Sequence, residues 1–179
     1  MTGEVIVVTG SPGAGKTTVA GLVAAEAERP TVHLITDQFF EAIRTGFIPP
    51  YLLESESQND VVVDAYVAAA ATYARGGYDV VVDGVVGPWY LPPFRAAAAR
   101  DGLAISYVVL RPTLGTTLSR AQARGSGALR DEQAITGLHE SFADLGPLEH
   151  HALDTTNQTP LATADAVRQA LAAGTHHLR

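Results

Sequence analysis

A layered α/β fold, in which helices cover both faces of a parallel β-sheet, is the fold class that this sequence predicts. Short runs rich in Val, Ile and Leu alternate with longer helix-forming stretches, and this alternation is typical of layered α/β proteins. The chain has 179 residues, of which 46% are hydrophobic and 17% charged, a composition typical of a globular protein. This length favours one domain, so we expect residues 1–179 to form a single domain.

Five apolar runs predict the strands of the sheet. They cover residues 5–9, 32–35, 79–83, 105–110 and 150–154. The first, third and fourth runs show little alternation between polar and apolar residues, which indicates strands buried on both faces of a parallel sheet.

Helix-forming stretches fill the intervals between these runs. They lie near residues 16–28, 58–75, 91–100, 113–123, 131–143 and 159–173, with a shorter helix at 38–45. Asp131 suits the N-cap of its helix, and Pro160 suits the first turn of the last helix. The stretches 47–57 and 84–93 contain prolines and are predicted to be loops.

The segment after the first predicted strand matches the Walker A pattern in full. It reads Gly10-Ser11-Pro12-Gly13-Ala14-Gly15-Lys16-Thr17-Thr18, and we expect all nine residues to contact a nucleotide. Glycines let the backbone curl round an anion, so that its N–H groups and the next helix N-terminus bind phosphate oxygens. Lys16, the only lysine in the chain, is expected to reach the β- and γ-phosphates. The alternative is a glycine-rich turn with an unrelated lysine.

Two residues are candidates for binding Mg²⁺. The Thr17 hydroxyl occupies the Walker A position that binds this ion. Asp83 ends the third apolar run, which is the Walker B arrangement, in which the Asp holds Mg²⁺ directly or through water. The alternative for Asp83 is a turn residue, because Asp-Gly is a common turn dipeptide.

Asp37 is the candidate general base. It follows the second apolar run and is therefore expected at the carboxyl edge of the sheet, where ligands bind in folds of this kind. A carboxylate there can accept the proton of a substrate hydroxyl that attacks the γ-phosphate. The alternative is that Thr36 or Asp37 simply caps the next helix, and the two roles can coexist.

Three arginines are candidates for contact with the nucleotide or with the transferring phosphoryl group. Arg120 and Arg124 are four residues apart on one helix face, and Arg130 follows the glycines of the stretch 125–127. That stretch could hinge a short lid over about residues 120–132, which would carry guanidinium groups onto the phosphoryl oxygens. The alternative is a solvated basic helix end.

Aromatic residues are concentrated in two stretches near the expected ligand edge. They are Phe39, Phe40, Phe47, Tyr51, Trp89, Tyr90 and Phe94. Ligand sites are concave and largely apolar, so the regions of about 37–75 and 84–95 are expected to bind a phosphate acceptor, with Trp89 and Tyr90 the first candidates. For the histidine pair 176–177 we expect a solvated tail.

Composition excludes several classes of function. The chain has no cysteine, which excludes disulfides and thiolate metal sites and fits a reducing cytoplasm. Its net charge of −7 argues against a broad nucleic-acid surface, which needs clustered Lys and Arg. The N-terminus carries Glu4 and only a short apolar run, unlike a signal peptide. No apolar run approaches the length of a membrane span, so we expect a cytoplasmic protein.

These residues resemble those of the small P-loop kinases, the group that holds adenylate, shikimate and gluconate kinases. The segment 36–38 (Thr-Asp-Gln), with Glu41 and the pair 45–46 (Thr-Gly), is similar to the start of the substrate helix in shikimate kinase. However, Ile35 stands where that family has a second Asp. The segment 82–84 (Val-Asp-Gly) resembles the strand end of adenylate kinase, without the Phe-Pro-Arg that follows there.

In length and layout the chain is more similar to chloramphenicol phosphotransferase. That family has an early phosphate loop, a proposed base at a distance that matches Asp37, and a last strand followed by Asp-Thr-Thr, as at Asp154-Thr155-Thr156. The resemblance implies a three-layer α/β/α P-loop fold with strand order 2-3-1-4-5. It also implies that Thr155 and Thr156 pass near the adenine.

The sequence therefore predicts transfer of a phosphoryl group from ATP, or another nucleoside triphosphate, to a hydroxyl group of a small molecule in the presence of Mg²⁺. An antibiotic or a nucleoside-like compound is among the candidate acceptors. The alternatives are a hydrolytic NTPase that acts as a switch and a nucleotide-binding module without turnover. A polynucleotide kinase is disfavoured by the negative charge.

Overall fold

The computed structural model of the chain describes residues 2–123 and 129–178. It contains the strands β1 (Glu4–Thr9), β2 (Thr31–Ile35), β3 (Asp79–Asp83), β4 (Ala104–Leu110) and β5 (Ala152–Leu153). They form one sheet in the order β2-β3-β1-β4-β5, and every neighbouring pair is parallel. The predicted five-stranded parallel sheet with order 2-3-1-4-5 is confirmed.

Seven α-helices surround the sheet in the described part of the chain. They are α1 (Lys16–Ala25), α2 (Asp37–Glu41), α3 (Glu56–Arg75), α4 (Leu91–Asp101), α5 (Leu114–Gln122), α6 (Glu132–Glu140) and α7 (Pro160–Ala172). The predicted cap at Asp131 is confirmed, because its Oδ1 accepts a hydrogen bond of 2.7 Å from the backbone N–H of Ala134. Pro160 is the first residue of α7, where its missing N–H has no intrahelical partner to lose.

The two faces of the sheet are covered by different helices. On one face, Val7 and Val82 belong to a core cluster with side chains of α3 and α4. On the other face, Val8 and Val81 belong to a second cluster with side chains of α1 and α7. Successive side chains of a strand point to opposite faces, so β1 and β3 must be apolar at nearly every position. This is why these runs lack alternation.

The strand register brings the ends of several strands to one edge. Val8 of β1 pairs with Asp83 of β3, and Ile35 of β2 pairs with the same Asp83. On the other side of β1, Thr9 pairs with Val109 of β4. The loops that follow these strands therefore leave the sheet along one edge, where ligands bind in parallel α/β sheets.

The structure corrects several predicted boundaries. The two loops 47–57 and 84–93 contain the short 3₁₀ helices Leu53–Ser55 and Pro88–Tyr90 and the first turns of α3 and α4. The first helix ends at Ala25 instead of residue 28, and α2 ends at Glu41 instead of residue 45. The last strand has only two residues, because the stretch before it forms the 3₁₀ helix Gly146–His151.

The predicted solvated tail at residues 176–177 is wrong for His176, whereas the side chain of His177 is 43% exposed. His176 is buried, with 5% of its surface exposed, and its carbonyl accepts a hydrogen bond of 2.9 Å from the N–H of Tyr107. Ser106 and His177 form an antiparallel bridge. Because β5 pairs only with the last two residues of β4, the earlier part of that edge has free backbone groups, and the C-terminal segment satisfies them. In the part of the chain that is described, no helix is both long and apolar enough to cross a bilayer.

Candidate active site

The phosphate loop is held in a single shape by its glycines. Gly10, Gly13 and Gly15 have φ angles of 142°, 90° and 95°, a range that residues with a side chain rarely adopt. A Cβ at Gly10 would lie 2.3 Å from the carbonyl oxygen of Leu110, and one at Gly13 would lie 2.4 Å from that of Thr117. The loop is therefore packed tightly between the end of β4 and helix α5.

Lys16 lies inside this loop, at the first position of α1. Only 7% of its surface is exposed, and its Nζ donates a hydrogen bond of 3.1 Å to the carbonyl oxygen of Ser11. The backbone N–H of Ala14 donates to the same oxygen at 3.1 Å. The loop thus folds over the ammonium group, as binding of phosphate oxygens by this lysine requires.

Thr17 and Asp83 supply oxygen atoms of the kind that Mg²⁺ prefers. Thr17 is exposed in the first turn of α1. Asp83 is 2% exposed, and its Oδ2 is buried without a hydrogen-bond partner among the described residues. A buried carboxylate oxygen without a partner is costly, and a cation would relieve that cost. The two residues therefore fit a Mg²⁺ site, Thr17 in the phosphate loop and Asp83 at the neighbouring strand end.

His33 is a residue of the site that sequence reasoning missed. Its Nε2 lies 3.5 Å from Oδ2 of Asp83, and this nitrogen is also buried without a hydrogen-bond partner in the described part of the chain. In the register His33 pairs with Val81 and Ile35 with Asp83, so His33 and Asp83 face the same side of the sheet. The available signal was a histidine two residues before the end of an apolar strand.

Asp37 lies where β2 leaves the sheet. The backbone N–H of Thr36 still donates to the carbonyl oxygen of Asp83 at 2.9 Å, and Asp37 then begins α2. The N-cap position belongs to Thr36, and no side-chain capping hydrogen bond is formed. Asp37 is exposed, so the alternative in which its side chain caps the helix does not describe this structure. The role of general base stays a prediction.

Arg120 connects α5 to the loop that follows β5. Its Nη2 lies within hydrogen-bonding distance of the carbonyl oxygens of Thr155, Thr156 and Gln158, at 3.2, 3.5 and 3.4 Å. The Thr156 hydroxyl donates to Oδ1 of Asp154 at 2.5 Å. Three residues predicted to contact the nucleotide, Arg120, Thr155 and Thr156, are thus brought together, and the guanidinium fixes the course of this loop.

The other two candidate arginines are less defined. The carbonyl oxygen of Arg130 accepts a hydrogen bond of 3.1 Å from Nε2 of Gln122, which ties the two ends of the predicted lid to each other. Arg124 and the hinge at 125–127 lie outside the described residues. The lid over about residues 120–132 therefore stays a prediction.

A cavity of about 280 Å³ opens beside the phosphate loop. Its lining joins the loop, α1, α5 and the start of α7, and consists of Gly13, Ala14, Gly15, Thr18, Val19, Arg120, Gln158, Pro160 and Thr163. Helices α5 and α7 follow β4 and β5, whereas Asp37 follows β2, and β4 and β5 lie on the opposite side of β1 from β2 in the sheet.

The aromatic residues of the predicted acceptor regions divide into two groups. Phe94 is 1% exposed and belongs to the core, so core packing, which is the default for any single aromatic residue, describes it. Trp89 is 47% exposed and packs against Tyr90, with ring centroids 6.0 Å apart. Phe47 and Tyr51 are each 46% exposed. These three exposed rings are available to a ligand.

Hydrogen bonds hold the loop that carries Phe47 and Tyr51. The Gln58 side chain accepts from the N–H of Ile48 at 2.8 Å and donates to its carbonyl oxygen at 2.7 Å. The Asn59 side chain donates to the carbonyl oxygen of Pro50 at 2.8 Å. Burial raises the pKa of the Tyr90 hydroxyl, and the adjacent Asn59 side chain opposes this rise. Asn59, in the first predicted acceptor region, therefore contacts Tyr90 in the second.

Comparison with known proteins gives a family and a fold. A family model described as an AAA domain matches residues 5–145. No curated protein matches the chain. Among solved structures, the tunicamycin resistance protein of Deinococcus radiodurans is 18% identical, with 99% of each chain covered and a TM-score of 0.66.

Two kinases of known structure are about as similar to this chain as the tunicamycin resistance protein is. A gluconokinase from Sinorhizobium meliloti 1021 is 22% identical, with 96% of this chain and 90% of that chain covered and a TM-score of 0.59. The APS kinase of Mycobacterium tuberculosis, in complex with AMPPNP and APS, is 18% identical, with 96% and 98% covered and a TM-score of 0.65. At these identities the likeness concerns the fold, which is that of the small P-loop kinases.

Proposed function

The chain belongs to the AAA domain family, and on that premise we propose that it is a kinase that transfers the γ-phosphoryl group of ATP to a hydroxyl group of a small molecule. One observation carries the proposal. Asp37 is exposed, does not cap its own helix and follows β2, at the sheet edge where the phosphate loop follows β1. A carboxylate at that edge is placed to serve an acceptor.

The phosphate loop binds the triphosphate. Its backbone N–H groups and the N-terminus of α1 surround the phosphate oxygens. The Lys16 ammonium, now hydrogen-bonded to the Ser11 carbonyl oxygen, turns to the β- and γ-phosphate oxygens, whose negative charge binds it more strongly than a neutral carbonyl does. Its charge then stabilises the group that is transferred.

Thr17 and Asp83 would hold Mg²⁺, and His33, whose Nε2 lies 3.5 Å from Oδ2 of Asp83, would help to orient that carboxylate. When bound, this ion neutralises charge on the β- and γ-phosphate oxygens. Asp83 is suited to this role because its position is fixed by the register with β1 and β2.

The acceptor hydroxyl oxygen attacks the γ-phosphorus. As the new P–O bond forms, the bond from the γ-phosphorus to the β–γ bridging oxygen breaks. ADP leaves with the electron pair of the broken bond. The hydroxyl proton passes to the Asp37 carboxylate. The products are ADP and a phosphate monoester of the acceptor.

The nucleoside part of ATP occupies the cavity beside the loop. Gln158 lines this cavity, and Thr155 and Thr156 of the same loop are proposed to pass near the adenine, because Arg120 holds the carbonyl oxygens of all three residues. Arg124 and Arg130 are proposed to contact the phosphoryl group from a closing segment over about residues 120–132, where they would stabilise the charge on its oxygens.

The acceptor binds over the regions of about 37–75 and 84–95. The exposed rings of Phe47, Tyr51 and Trp89 favour an acceptor with an apolar part. One similar structure is named as a tunicamycin resistance protein, which supports antibiotics as candidate acceptors, alongside nucleoside-like compounds.

A screen for phosphorylated products tests the proposal. Hydroxylated metabolites and antibiotics are incubated with the protein, ATP and Mg²⁺, and each is examined by mass spectrometry for the gain of one phosphoryl group. We expect at least one compound to gain that mass with the natural protein, and none with Lys16→Ala. Release of inorganic phosphate at one rate with every compound, and no phosphorylated compound, would instead favour a hydrolytic NTPase.

A further inference from the structure

A second cavity, of about 650 Å³, lies apart from the candidate active site. Its lining shares no residue with that of the nucleotide cavity. It is formed by α4, the 3₁₀ helix Gly146–His151 and the C-terminal segment, and its lining includes Arg95, Leu148, His150, His151, His177 and Leu178. The C-terminal segment contributes because it runs along the exposed edge of β4.

The polar groups of this lining are mostly cationic or protonatable. They comprise one guanidinium and three imidazoles, and no carboxylate lines the cavity within the described part of the chain. The chain as a whole has a net charge of −7, so the positive charge of this lining is opposite in sign to the net charge of the chain. Arg95 is exposed and forms no ion pair or hydrogen bond within residues 2–123 and 129–178. A guanidinium without a carboxylate is free to bind an anion in a bidentate manner.

The histidines act on one another, and among the described residues Glu4, 3.5 Å from His177, is the carboxylate paired with them. Burial lowers the pKa of His151, and the charges of His150 and Arg95 lower it further. A hydrogen bond to the Tyr107 carbonyl oxygen acts in the opposite direction and raises this pKa. Burial also lowers the pKa of His176, and the charges of His151 and His150 contribute. Nε2 of His176 is buried without a hydrogen-bond partner in the described ranges. An anion in the cavity would favour the charged form of His151, which lines it.

The tautomer of His151 decides how it can take part. Its Nδ1 lies 2.8 Å from the carbonyl oxygen of Tyr107, and a carbonyl can only accept, so Nδ1 carries a proton. Nε2 is then the nitrogen that gains or loses a proton as the pH changes. His151 can donate a second hydrogen bond to an anion only after it has become an imidazolium.

We propose that this cavity is a binding site for a small multivalent oxyanion, which Arg95 binds with its permanent charge and to which the lining imidazoles of His150, His151 and His177 donate hydrogen bonds. Binding of the anion takes up protons, so the anion and the protons bind cooperatively. The site is independent of the kinase activity, because none of its residues belongs to the phosphate loop or its cavity.

The sign of the pH dependence follows from the groups around the cavity. Arg95 comes from α4, His150 and His151 from the 3₁₀ helix, and His176 and His177 from the C-terminal segment. Among the described residues, Tyr107 of β4 and Glu4 of β1 also contact these histidines. Burial raises the pKa of Tyr107, which stays neutral, and Glu4 lies 3.5 Å from His177. Since the pKa values of His151 and His176 lie below the ordinary value, anion affinity must rise as the pH falls through and below that value.

The test uses sulfate, because it keeps two negative charges throughout this pH range and any pH dependence then belongs to the protein. The imidazole resonances of the protein are followed by NMR during titration with sodium sulfate, and with sodium chloride at equal ionic strength. We expect saturable shifts of the resonances of His150, His151 and His177 with sulfate only. His33, beside Asp83, reports any sulfate at the phosphate loop, and His139 serves as the reference.

Two matched variants complete the test. Arg95→Ala should weaken sulfate binding by about tenfold or more, the loss of a charge-assisted contact. Arg100→Ala removes the same charge from the same helix, outside the cavity lining, and should leave the affinity unchanged. Between about pH 5 and about pH 7 the affinity should fall by up to about tenfold per pH unit for each proton taken up.

Equal shifts with chloride, an unchanged affinity in Arg95→Ala, or the same affinity at both pH values would overturn the proposal. Unaltered resonances of His33 and His139 in each variant show that it is folded. If Arg95→Ala fails to fold, Arg95→Gln replaces it, and the same loss of affinity is expected.

Discussion

The two sides of the candidate active site differ in how firmly the fold holds them. On the nucleotide side, the phosphate loop is mostly buried and packs backbone against backbone at Gly10 and Gly13. On the acceptor side, α2 has five residues and none is buried, and residues 44–47 are exposed. The backbone of the phosphate loop binds the triphosphate, a group that all nucleoside triphosphate donors have in common. Contacts made by exposed side chains can differ with each acceptor.

The largest effect is expected on the nucleotide side, from Lys16→Ala. The variant removes the only lysine of the chain from a buried loop, and preorganised charge of this kind contributes about 10²–10³-fold to the rate. We expect turnover to fall by about 10³-fold and ATP affinity to fall as well, as measured by kinetics and calorimetry with ATP and Mg²⁺. Arg29→Ala, which removes an exposed cation elsewhere, should change neither quantity. Unchanged rate and affinity in Lys16→Ala would remove the nucleotide assignment.

On the acceptor side, Asp37→Asn should reduce the rate without affecting stability. General-base catalysis contributes about 10²–10⁴-fold, so phosphorylation of the acceptor should fall by at least about a hundredfold. Because Asp37 is exposed and caps no helix, the free energy of unfolding and the ATP affinity should hardly change. Loss of stability together with an unchanged rate per folded molecule would make Asp37 a structural residue. A small loss of rate with a raised KM for the acceptor would place Asp37 in acceptor positioning instead.

Two glycine variants, one on the nucleotide side and one on the acceptor side, allow a direct comparison of the free energy of unfolding. Gly13 and Gly46 both have positive φ, at 90° and 74°, so Ala costs about 1–2 kcal/mol at either position. At Gly13 the new Cβ also meets the Thr117 carbonyl oxygen at 2.4 Å, whereas nothing lies within 4 Å at Gly46. Overpacking costs about 1–3 kcal/mol more. We therefore expect Gly13→Ala to lower the free energy of unfolding by about 2 kcal/mol more than Gly46→Ala, as measured by urea denaturation. Equal losses would show that the phosphate loop is no more constrained than the acceptor loop.

The smallest effect is expected for Arg120→Ala, at the border of the nucleotide side. Its guanidinium holds the carbonyl oxygens of Thr155, Thr156 and Gln158, and these hydrogen bonds position a wall of the cavity. Loss of hydrogen bonds from a charged donor costs about 1.5–3 kcal/mol, so KM for ATP should rise by about tenfold or more with little change in kcat. Arg29→Ala, which removes an exposed cation elsewhere, is the control and should change neither KM nor kcat. A large fall in kcat with an unchanged KM for ATP in Arg120→Ala would assign Arg120 to the phosphoryl group.

The fold was predictable because the central strands are apolar on both faces. The runs at 79–83 and 105–110 could be recognised without any partner, since β3 and β4 are buried by helices on both sides. The first and last residues of the final strand could not be predicted from an apolar run. It has two residues, and the edge of β4 that it leaves open is covered by residues 176–178, a pairing between distant parts of the chain that no local pattern encodes.

The site was predictable to the extent that its parts are local. The phosphate loop is one continuous segment, so its spacing identified all its members. The contact between His33 and Asp83 joins two strands, and the contact of Arg120 with the loop after β5 joins segments 35 residues apart. Such contacts depend on the register and on helix packing, which is why His33 was missed and why the partners of Arg120 were not foreseen.

Phosphorus NMR tests the central claim most directly, because it accounts for every phosphoryl group that leaves ATP. The protein is mixed with ATP, Mg²⁺ and an acceptor from the screen, and the resonances of ADP, inorganic phosphate and phosphate monoester are followed with time. The account predicts that monoester forms in equal amount to ADP, and that Asp37→Asn slows both by at least about a hundredfold. Inorganic phosphate in equal amount to ADP, with no monoester, would contradict it.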